Sequence, residues 1–491
     1  MTSAVLDAPL SDPRDDRAFF GHPRGLGLLF VAEMWERFSY YGMRALIVLY
    51  LTKALAWSDA DAFRLYGTYT GMVWLTPMIG GFIADRYLGT HRALLVGGAI
   101  IATGHFVLAV PGMTAFYLGL ILVVLGTGLF KPNASTMVGQ LYAAGDRRRD
   151  AGFTIFYMGI NLGATFAPLV CSSLGERVGW HYGFAAAGVG MVCGLIAYAM
   201  GKKKYLPGIG ETRTANIAPV AGATTALDSL KAWHGLVGGG AGFAIGWVTG
   251  NGDWAAVLTG TVIGASIAMA ILSSRGEELK RVIALCFIVF FVVFFWAAYE
   301  QAGSSMNIFA DRHTNRTIGG WEIPTGWFQS IQPAALLILA PVMAGVWQWL
   351  AARGKEPSTA LKIAMGLAVI GVAFLFMVVA GRGVDGGMKV SAFFLVATYS
   401  LSEVGELMVS PVGLSYVTKV APARLGALMM GIFFLSNSAA NKIAGMLAEV
   451  SARMSSQASF YSIPVATSVG AAVVLFLMVP WLKRLTSSVE A

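Results

Sequence analysis

The stretch EMWERFSYYGMR, residues 33–44, sets Glu33, Glu36, Arg37 and Arg44 into a run that is otherwise apolar and aromatic and continues as ALIVLYL. Glu33 and Arg37 are four apart; Glu33 and Tyr40, like Arg37 and Arg44, are seven apart, which places them along one stripe of a helix. Further ionisable residues interrupt later apolar runs: Lys131, Glu300, and Glu403 with Glu406. Acids and bases held away from bulk water support two kinds of chemistry. Arg37, Arg44 and Lys131 can hold a carboxylate, the arginines through their bidentate fork. Glu406 can hold an ammonium group, so a ligand carrying both signs suits the set. The carboxylates can also bind a proton, because burial favours the neutral acid and a neighbouring cation the ionised one, and breaking an ion pair moves the group between them. The alternative for the first stripe is a set of ion pairs that only locks two helices together.

The elements that must position these residues are membrane helices. The chain is 56% hydrophobic and 12% charged, against about 25% charged in a soluble domain. Segments such as YLGLILVVLGTGLF and VIALCFIVFFVVFFWAA approach the ~20 apolar residues that cross a bilayer. Twelve main apolar runs fall at about 26–52, 64–84, 93–111, 115–138, 152–173 and 181–200, then 281–303, 325–350, 360–380, 389–415, 424–447 and 460–482. A charge near the bilayer centre costs at least ~2.5–3.5 kcal/mol. Such charges sit in the first, fourth, seventh and tenth runs. An interval of three fits transporters made of three-helix units, inverted within each half, with a central cavity near the midplane. Prolines Pro77, Pro132, Pro168, Pro333 and Pro411 suggest bent helices around it. His105 and Lys442 are expected toward a membrane surface, where snorkelling or interfacial contacts suffice.

The expected architecture is all-α: two six-helix bundles, residues 26–200 and 281–484, joined by a linker, 201–280, that carries two further helices turning at Asn251-Gly252-Asp253, about 14 membrane helices in all. A polar segment, 1–25, precedes them and a short tail, 485–491, follows. The first 25 residues lack the apolar core of a removed signal peptide, so the first helix should direct insertion. The basic loops DRYLGTHR, DRRRDAG, GKKKY, SSRGEELKR, ARGKEP and LKRLT alternate with loops poorer in Lys/Arg, which puts them and both termini in the cytoplasm. Arg312 and Arg316 depart from this pattern, in a longer loop. The net charge of +9 therefore reflects topology, not nucleic-acid binding. Cys171, Cys193 and Cys286 lie in separate apolar runs without metal-ligand company and read as packing residues. No nucleophile-base, Walker or metalloprotease pattern stands in a suitable setting. An enzyme is not expected, nor is a cofactor or metal, and the energy must come from a gradient.

Together, ExxERFSYYGMR, GGFIADRYLGTHR (80–92), GTGLFKPN (126–133), DRRRDAGFTIFYMGINLGA (146–164), WFQSIQP (327–333) and GELMVSPVGLS (405–415) resemble, over nearly the full length, the proton-coupled oligopeptide transporters, the POT or PTR family of the major facilitator superfamily. The paired helices between halves resemble the extra hairpin of bacterial members. The resemblance implies proton symport of di- and tripeptides into the cell by alternating access, in a bacterial inner membrane, by a functional monomer among membrane lipids. It assigns Glu33, Glu36, Arg37 and Glu300 to proton coupling, and Arg44 with Glu300 to a gating salt bridge. Lys131 would compete with the ExxER carboxylates for the peptide carboxylate, Glu406 and Asn161 would hold the amino terminus, and Tyr40, Tyr41 and Trp296 would line side-chain pockets.

Three departures bear on substrate preference. Gln332 stands where several relatives have Asn, and Phe433 where relatives often have Trp, which loses an indole N–H donor. The stretch from Arg64 to Asp85 lacks the histidine of animal relatives, so coupling must rest on carboxylates. The alternative is a same-fold proton-coupled carrier of another small solute, an anion or peptide-like drug; Glu406 would repel a purely anionic one. Asn161 could also be interhelical glue, and Tyr40 and Tyr41 ordinary packing.

Overall fold

The computed structural model describes residues 12–143, 145–211 and 232–490. Residues 1–11 of the expected N-terminal segment, 212–231 of the expected linker and 491 of the expected tail lie outside the described residues. Fourteen long helices run through the described residues: α1 Arg24–Leu49, α2 Asp59–Ile83, α3 Thr90–Leu108, α4 Met113–Gln140, α5 Arg149–Arg177, α6 Trp180–Tyr205, α7 Ala232–Thr249, α8 Trp254–Leu272, α9 Gly276–Tyr299, α10 Ile331–Ala351, α11 Thr359–Asp385, α12 Phe393–Val420, α13 Gly426–Arg453 and α14 Gln457–Glu490. After α9 a 3-10 turn, Glu300–Gly303, leads into a short helix, Ser305–Arg312. Four two-residue strands form two minimal pairings in loops, Thr314–Asn315 with Val390–Ser391 and Thr317–Ile318 with Trp321–Glu322. The all-α expectation holds.

Among the described residues ten helices, some with flanking turns, are long and apolar enough to cross a bilayer. α1 is not among them, because its own charges, Glu33, Glu36, Arg37 and Arg44, interrupt the run. Pro77, Pro132, Pro168 and Pro411 lie inside α2, α4, α5 and α12. Pro333 differs from expectation: it sits in the first turn of α10, where its missing N–H forfeits no helical bond. The interior proline of that helix is Pro341.

The chain divides into two compact units, one formed by the described residues of Met1–Met43, Thr76–Leu174 and His181–Ala218, the other by those of Arg44–Leu75, Gly175–Trp180 and Pro219–Ala491. The first has a core of Leu26, Leu29, Leu94, Ile101, Phe130 and Met191 with their neighbours. In it His105 is fully buried beside Gly188 of α6 and does not reach for an interface. The second is built on Phe291, Phe295, Phe374, Tyr399, Phe433 and Tyr461.

Within the second unit, α7 and α8 form the expected hairpin. Asn251 and Gly252 take positive φ, 49° and 80°, the left-handed values a tight reversal needs. Asp253 caps α8, accepting from the Ala255 and Ala256 N–H groups at 2.8 and 3.2 Å. The two helices meet backbone to backbone: a Cβ on Gly242 would collide with the Gly260 carbonyl, and one on Gly246 would lie 2.5 Å from the Ala256 carbonyl. Glycines at four-residue spacing thus do here what small residues do at membrane helix interfaces generally.

The hairpin is anchored by a charge that the sequence reading assigns to snorkelling or interfacial contacts. Lys442 of α13 is buried, and its Nζ donates to Asp253 Oδ2 at 2.7 Å and to Thr68 Oγ1 of α2 at 2.8 Å. Burial pushes the Asp253 carboxyl up, but Lys442 and the two capping N–H groups outweigh it and hold it below the usual range. A lowered carboxyl titration point favours the folded state at all pH above it and loses that contribution only as pH falls through it, so the pair persists through the neutral range. α2 and α13 also meet where a Cβ on Gly67 would lie 2.7 Å from Gly445 Cα, and through Ser438 to the Gly71 carbonyl at 2.8 Å and Arg64 to Glu449 at 2.9 Å. Contacting charged partners couple by about 0.5–3 kcal/mol. In a cycle of Asp253→Ala, Lys442→Ala and the double variant, thermal unfolding in detergent should show a coupling of that size. Strictly additive shifts would show that the pair does not anchor the hairpin.

Candidate functional site

In the first unit the ExxER residues of α1 form one cluster. Arg37 lies between two carboxylates, Glu33 Oε1 at 3.2 Å from Nε, and Glu36, which it meets through Nε and, at 2.7 Å, through Nη2. Glu33, Glu36 and Arg37 are 2%, 0% and 3% exposed. Charges this deeply placed persist only when paired, and the i,i+4 spacing of Glu33 and Arg37 supplies a partner from within the same helix. The Arg37 guanidinium lies 5.4 Å from the Tyr40 ring centroid, and Tyr40 meets Tyr41 edge to face at 5.2 Å. Lys131 of α4 is half-buried and within electrostatic reach of Glu33. Asn161 of α5 is buried and donates through Nδ2 to the Tyr157 carbonyl of its own helix at 3.0 Å.

In the second unit the last turns of α1 carry Arg44 to Glu300. Nη2 lies 2.5 Å from Glu300 Oε2, with both side chains buried, while Nε donates to the Tyr66 hydroxyl of α2 at 2.6 Å. Glu300 ends α9 as its C-cap, and Gln301 beside it is fully buried, donating to the Ala444 carbonyl of α13 at 3.0 Å. Around this pair, Lys53 meets Asp311 at 2.8 Å, and Arg312 forks onto Asp59 at 2.6 and 2.7 Å. Arg316 meets Asp311 and Glu322. The basic loop that breaks the alternation of charge is thus neutralised by acids of its own unit.

The second unit also buries two acids on α12, Glu406 and Glu403, at 3% and 0% exposure. Glu403 Oε1 accepts from the Tyr299 hydroxyl at 2.6 Å, and Tyr299 packs against Trp296 at 5.0 Å. Gln332 is buried in the first turn of α10. Phe433 of α13 is 3% exposed and packs over Gly413 of α12, where a Cβ would lie 2.8 Å from its ring.

Residues 91–465 match the model of the POT family. The chain belongs to that family. An uncharacterized transporter of Bacillus subtilis (strain 168), YclF, is 36% identical over 95% of this chain and 96% of its own length. A di-/tripeptide transporter of Lactococcus lactis subsp. cremoris is 34% identical over 88% and 90%. A crystal structure of a variant peptide transporter POT in complex with alafosfalin has a TM-score of 0.81 at 35% identity, covering 96% of this chain and 97% of that one. The protein is therefore a multi-pass membrane transporter with the major facilitator fold of the POT family, the proton-coupled peptide transporters, and not an enzyme.

Within this POT family chain, sequence reasoning selects the costly residues but not all their partners. It misses Tyr66 and Tyr299, which look like ordinary aromatics of apolar helices, and it sets Glu403 aside for want of a motif. Their signal lies only in contacts between helices far apart in sequence. For Arg44 and Glu300 the contact itself is testable. Removing one partner of a buried pair costs about 3–5 kcal/mol because the other is left uncompensated, whereas removing both costs less. Arg44→Ala should therefore lower the thermal midpoint in detergent by more than Arg44→Ala combined with Glu300→Ala. A double variant less stable than the single would mean that the pair does not hold these helices.

Proposed function

We propose that this protein carries di- and tripeptides into the cell by proton symport across a bacterial cell membrane, with both termini cytoplasmic. The observation that carries the proposal is the balance of the Glu33, Glu36, Arg37 and Lys131 cluster, whose four charges sum to zero when all are ionised. Both oxygens of Glu36 face Arg37. Glu33 meets Arg37 through Oε1, and its buried Oε2 has no hydrogen-bond partner among the described residues. Glu33 is thus the acid at which a proton adds with the least disruption. A proton there leaves one positive charge in excess, and a peptide carboxylate restores neutrality. Proton and substrate then enter together because either alone leaves a buried charge, at a cost of several kcal/mol.

At the other end of the peptide, Glu406 is the acceptor suited to an ammonium group, with the Asn161 and Gln332 amides as further partners. Tyr40, Tyr41, Trp296 and Phe433 supply surfaces for side chains, and Arg44 with Glu300 is the ion pair whose breaking and remaking would gate the cycle. The Lactococcus lactis relative, a di-/tripeptide transporter, and the relative bound to the peptide analogue alafosfalin support this substrate class. The orientation is supported by the company of the N-terminal segment. Arg14 donates to the Gln140 carbonyl at 3.2 Å, His22 meets the Tyr142 hydroxyl at 2.8 Å, and the Gly25 turn adjoins Tyr205 and Leu206. The segment therefore lies beside DRRRDAG and GKKKY, two of the loops that the positive-inside rule assigns to the cytoplasm.

In proteoliposomes with an inward proton gradient, a labelled dipeptide should accumulate and emerge chemically unchanged. Glu33→Gln should abolish accumulation while peptide exchange across the membrane persists; equal loss of both would assign Glu33 to structure alone. Glu406→Ala should weaken uptake of peptides with a free amino terminus at least tenfold, about 1.4 kcal/mol, and N-acetylated peptides far less. Identical losses for the two would remove Glu406 from ammonium recognition.

A further inference from the structure

The inserted hairpin and α13 enclose a groove for which the proposed transport cycle has no use. α8 joins the rest of the second unit near both of its ends: Ile267, Ala270 and Ile271 pack into the core, and at the turn Asp253 meets Lys442. Between the hairpin and α13 a space of about 500 Å³ is left open. That is the size of a small-molecule site, about 300–1,000 Å³. Gly242 and Gly246 of α7 and Gly260 and Gly264 of α8 line it, so the glycines that let the two helices touch also leave this face without side chains. Ala439, Ile443 and Met446 of α13 stand opposite.

The lining selects hydrocarbon over water. Its polar residues are Thr249, which donates to the Ile245 carbonyl at 2.7 Å, Thr259, and Lys442, already bonded to Asp253 and Thr68. Buried water needs two to four polar partners, and a space without them does not hold it. Trp233 at the start of α7 and Trp247 and Trp254 beside the turn are exposed, as tryptophans of the two interfacial belts are, so the groove lies at the depth of acyl tails. From Ala256 to Leu272 it follows α8 for about 24 Å, at roughly 1.5 Å per residue. One leaflet's share of the hydrocarbon core is about 15 Å, so a full tail fits.

The end away from the turn is basic. There Leu272 of the groove is followed by Ser273, whose carbonyl accepts from Arg424 at 2.8 Å. Arg424 also meets Glu278 at 2.7 Å, and Lys280 pairs with Glu277. Arg275 is exposed, and Arg281 has a buried Nε without a hydrogen-bond partner among the described residues. Arg275, Lys280, Arg281 and Arg424 thus outnumber Glu277 and Glu278, and this end keeps a net positive charge.

We propose that the groove binds one acyl tail of an anionic phospholipid from the leaflet beside the SSRGEELKR loop, with the phosphate held by Arg275 and Arg281 next to Arg424. The tail supplies the dispersion contacts that an open space between helices forfeits. The guanidinium groups supply charge-assisted hydrogen bonds to the phosphate, as basic pockets between membrane helices do for anionic head groups. The hairpin then forms one wall of a lipid site, whatever solute the protein carries.

Native mass spectrometry of the full chain in detergent, with dioleoyl phosphatidylglycerol or dioleoyl phosphatidylcholine added, tests the site, because the two lipids share their tails and differ in charge. Phosphatidylglycerol should bind at one copy per chain and at least tenfold tighter than phosphatidylcholine. Arg275→Gln combined with Arg281→Gln should remove that preference and keep the weaker binding. Ala439→Leu, which fills the groove, should abolish tight binding of both; should that variant fail to fold, Ala241→Leu fills the groove from the exposed face of α7. Equal affinity for the two lipids in the unaltered protein would overturn the proposal. So would binding that the filling variants leave intact, or a dimer that forms without lipid and is lost on filling, since a second copy of the chain would then occupy the groove.

Discussion

Every feature of this molecule that bears on transport follows from the expense of holding a charge inside an apolar helix. Arg37 remains inside α1 because two carboxylates of the same helix surround it. Arg44 remains inside because Glu300 and Tyr66 arrive from other helices. Lys442 remains inside because the turn of the inserted hairpin delivers Asp253 to it. In each case the helix carries a residue that lipid alone would not accept, and packing of the unit supplies the partner. The ion pairs are thus tertiary structure as much as chemistry, and a motion that separates the partners must replace them with water, a proton or a ligand.

The helices were readable from composition because a membrane span is a matter of length and apolarity, both local properties. The hairpin turn was readable for the same reason: Asn251-Gly252-Asp253 combines the residues that tolerate positive φ with one that caps the next helix. The ExxER stripe was readable because Arg37 and its partners are one and four residues apart. What the sequence conceals is partnership at a distance. Lys442 and Asp253 are 189 residues apart, and Tyr299 and Glu403 are 104 apart. Composition marks Lys442 as a costly residue but cannot distinguish one that snorkels from one that is met by an acid. The burial of His105 is concealed for a related reason, since nothing local to α3 reveals that Gly188 of α6 lies beside it.

The inserted hairpin shows how a fold can gain an element without disturbing its chemistry. α7 and α8 meet through glycines, so close backbone contact holds the two helices to each other without polar groups between them. Its ion pair among the described residues is at the turn, where Asp253 meets Lys442. Lys442 in turn bonds Thr68 on α2, and α2 and α13 approach closely at Gly67 and Gly445. The hairpin therefore meets a seam between two transport helices at its turn, while Ile267, Ala270 and Ile271 of α8 pack into the core of the second unit.

The hydrogen bonds of each buried acid sort the carboxylates by the work they can do. Glu36 has both oxygens committed to Arg37, so protonating it would release the guanidinium and dismantle the cluster. Glu33 has one oxygen committed and one without a partner, and it can accept a proton while Arg37 stays held by Glu36. Glu300 is bound to Arg44, whose Tyr66 contact keeps the guanidinium oriented, so proton and cation compete there for one carboxylate. Glu403 has no ion pair among the described residues, and its hydrogen bond comes from the Tyr299 hydroxyl. The same residue type therefore occupies four electrostatic settings, from fully paired to hydrogen-bonded alone. A transporter driven by protons needs such a spread, because an acid that always holds its proton, or never does, cannot couple a gradient to movement.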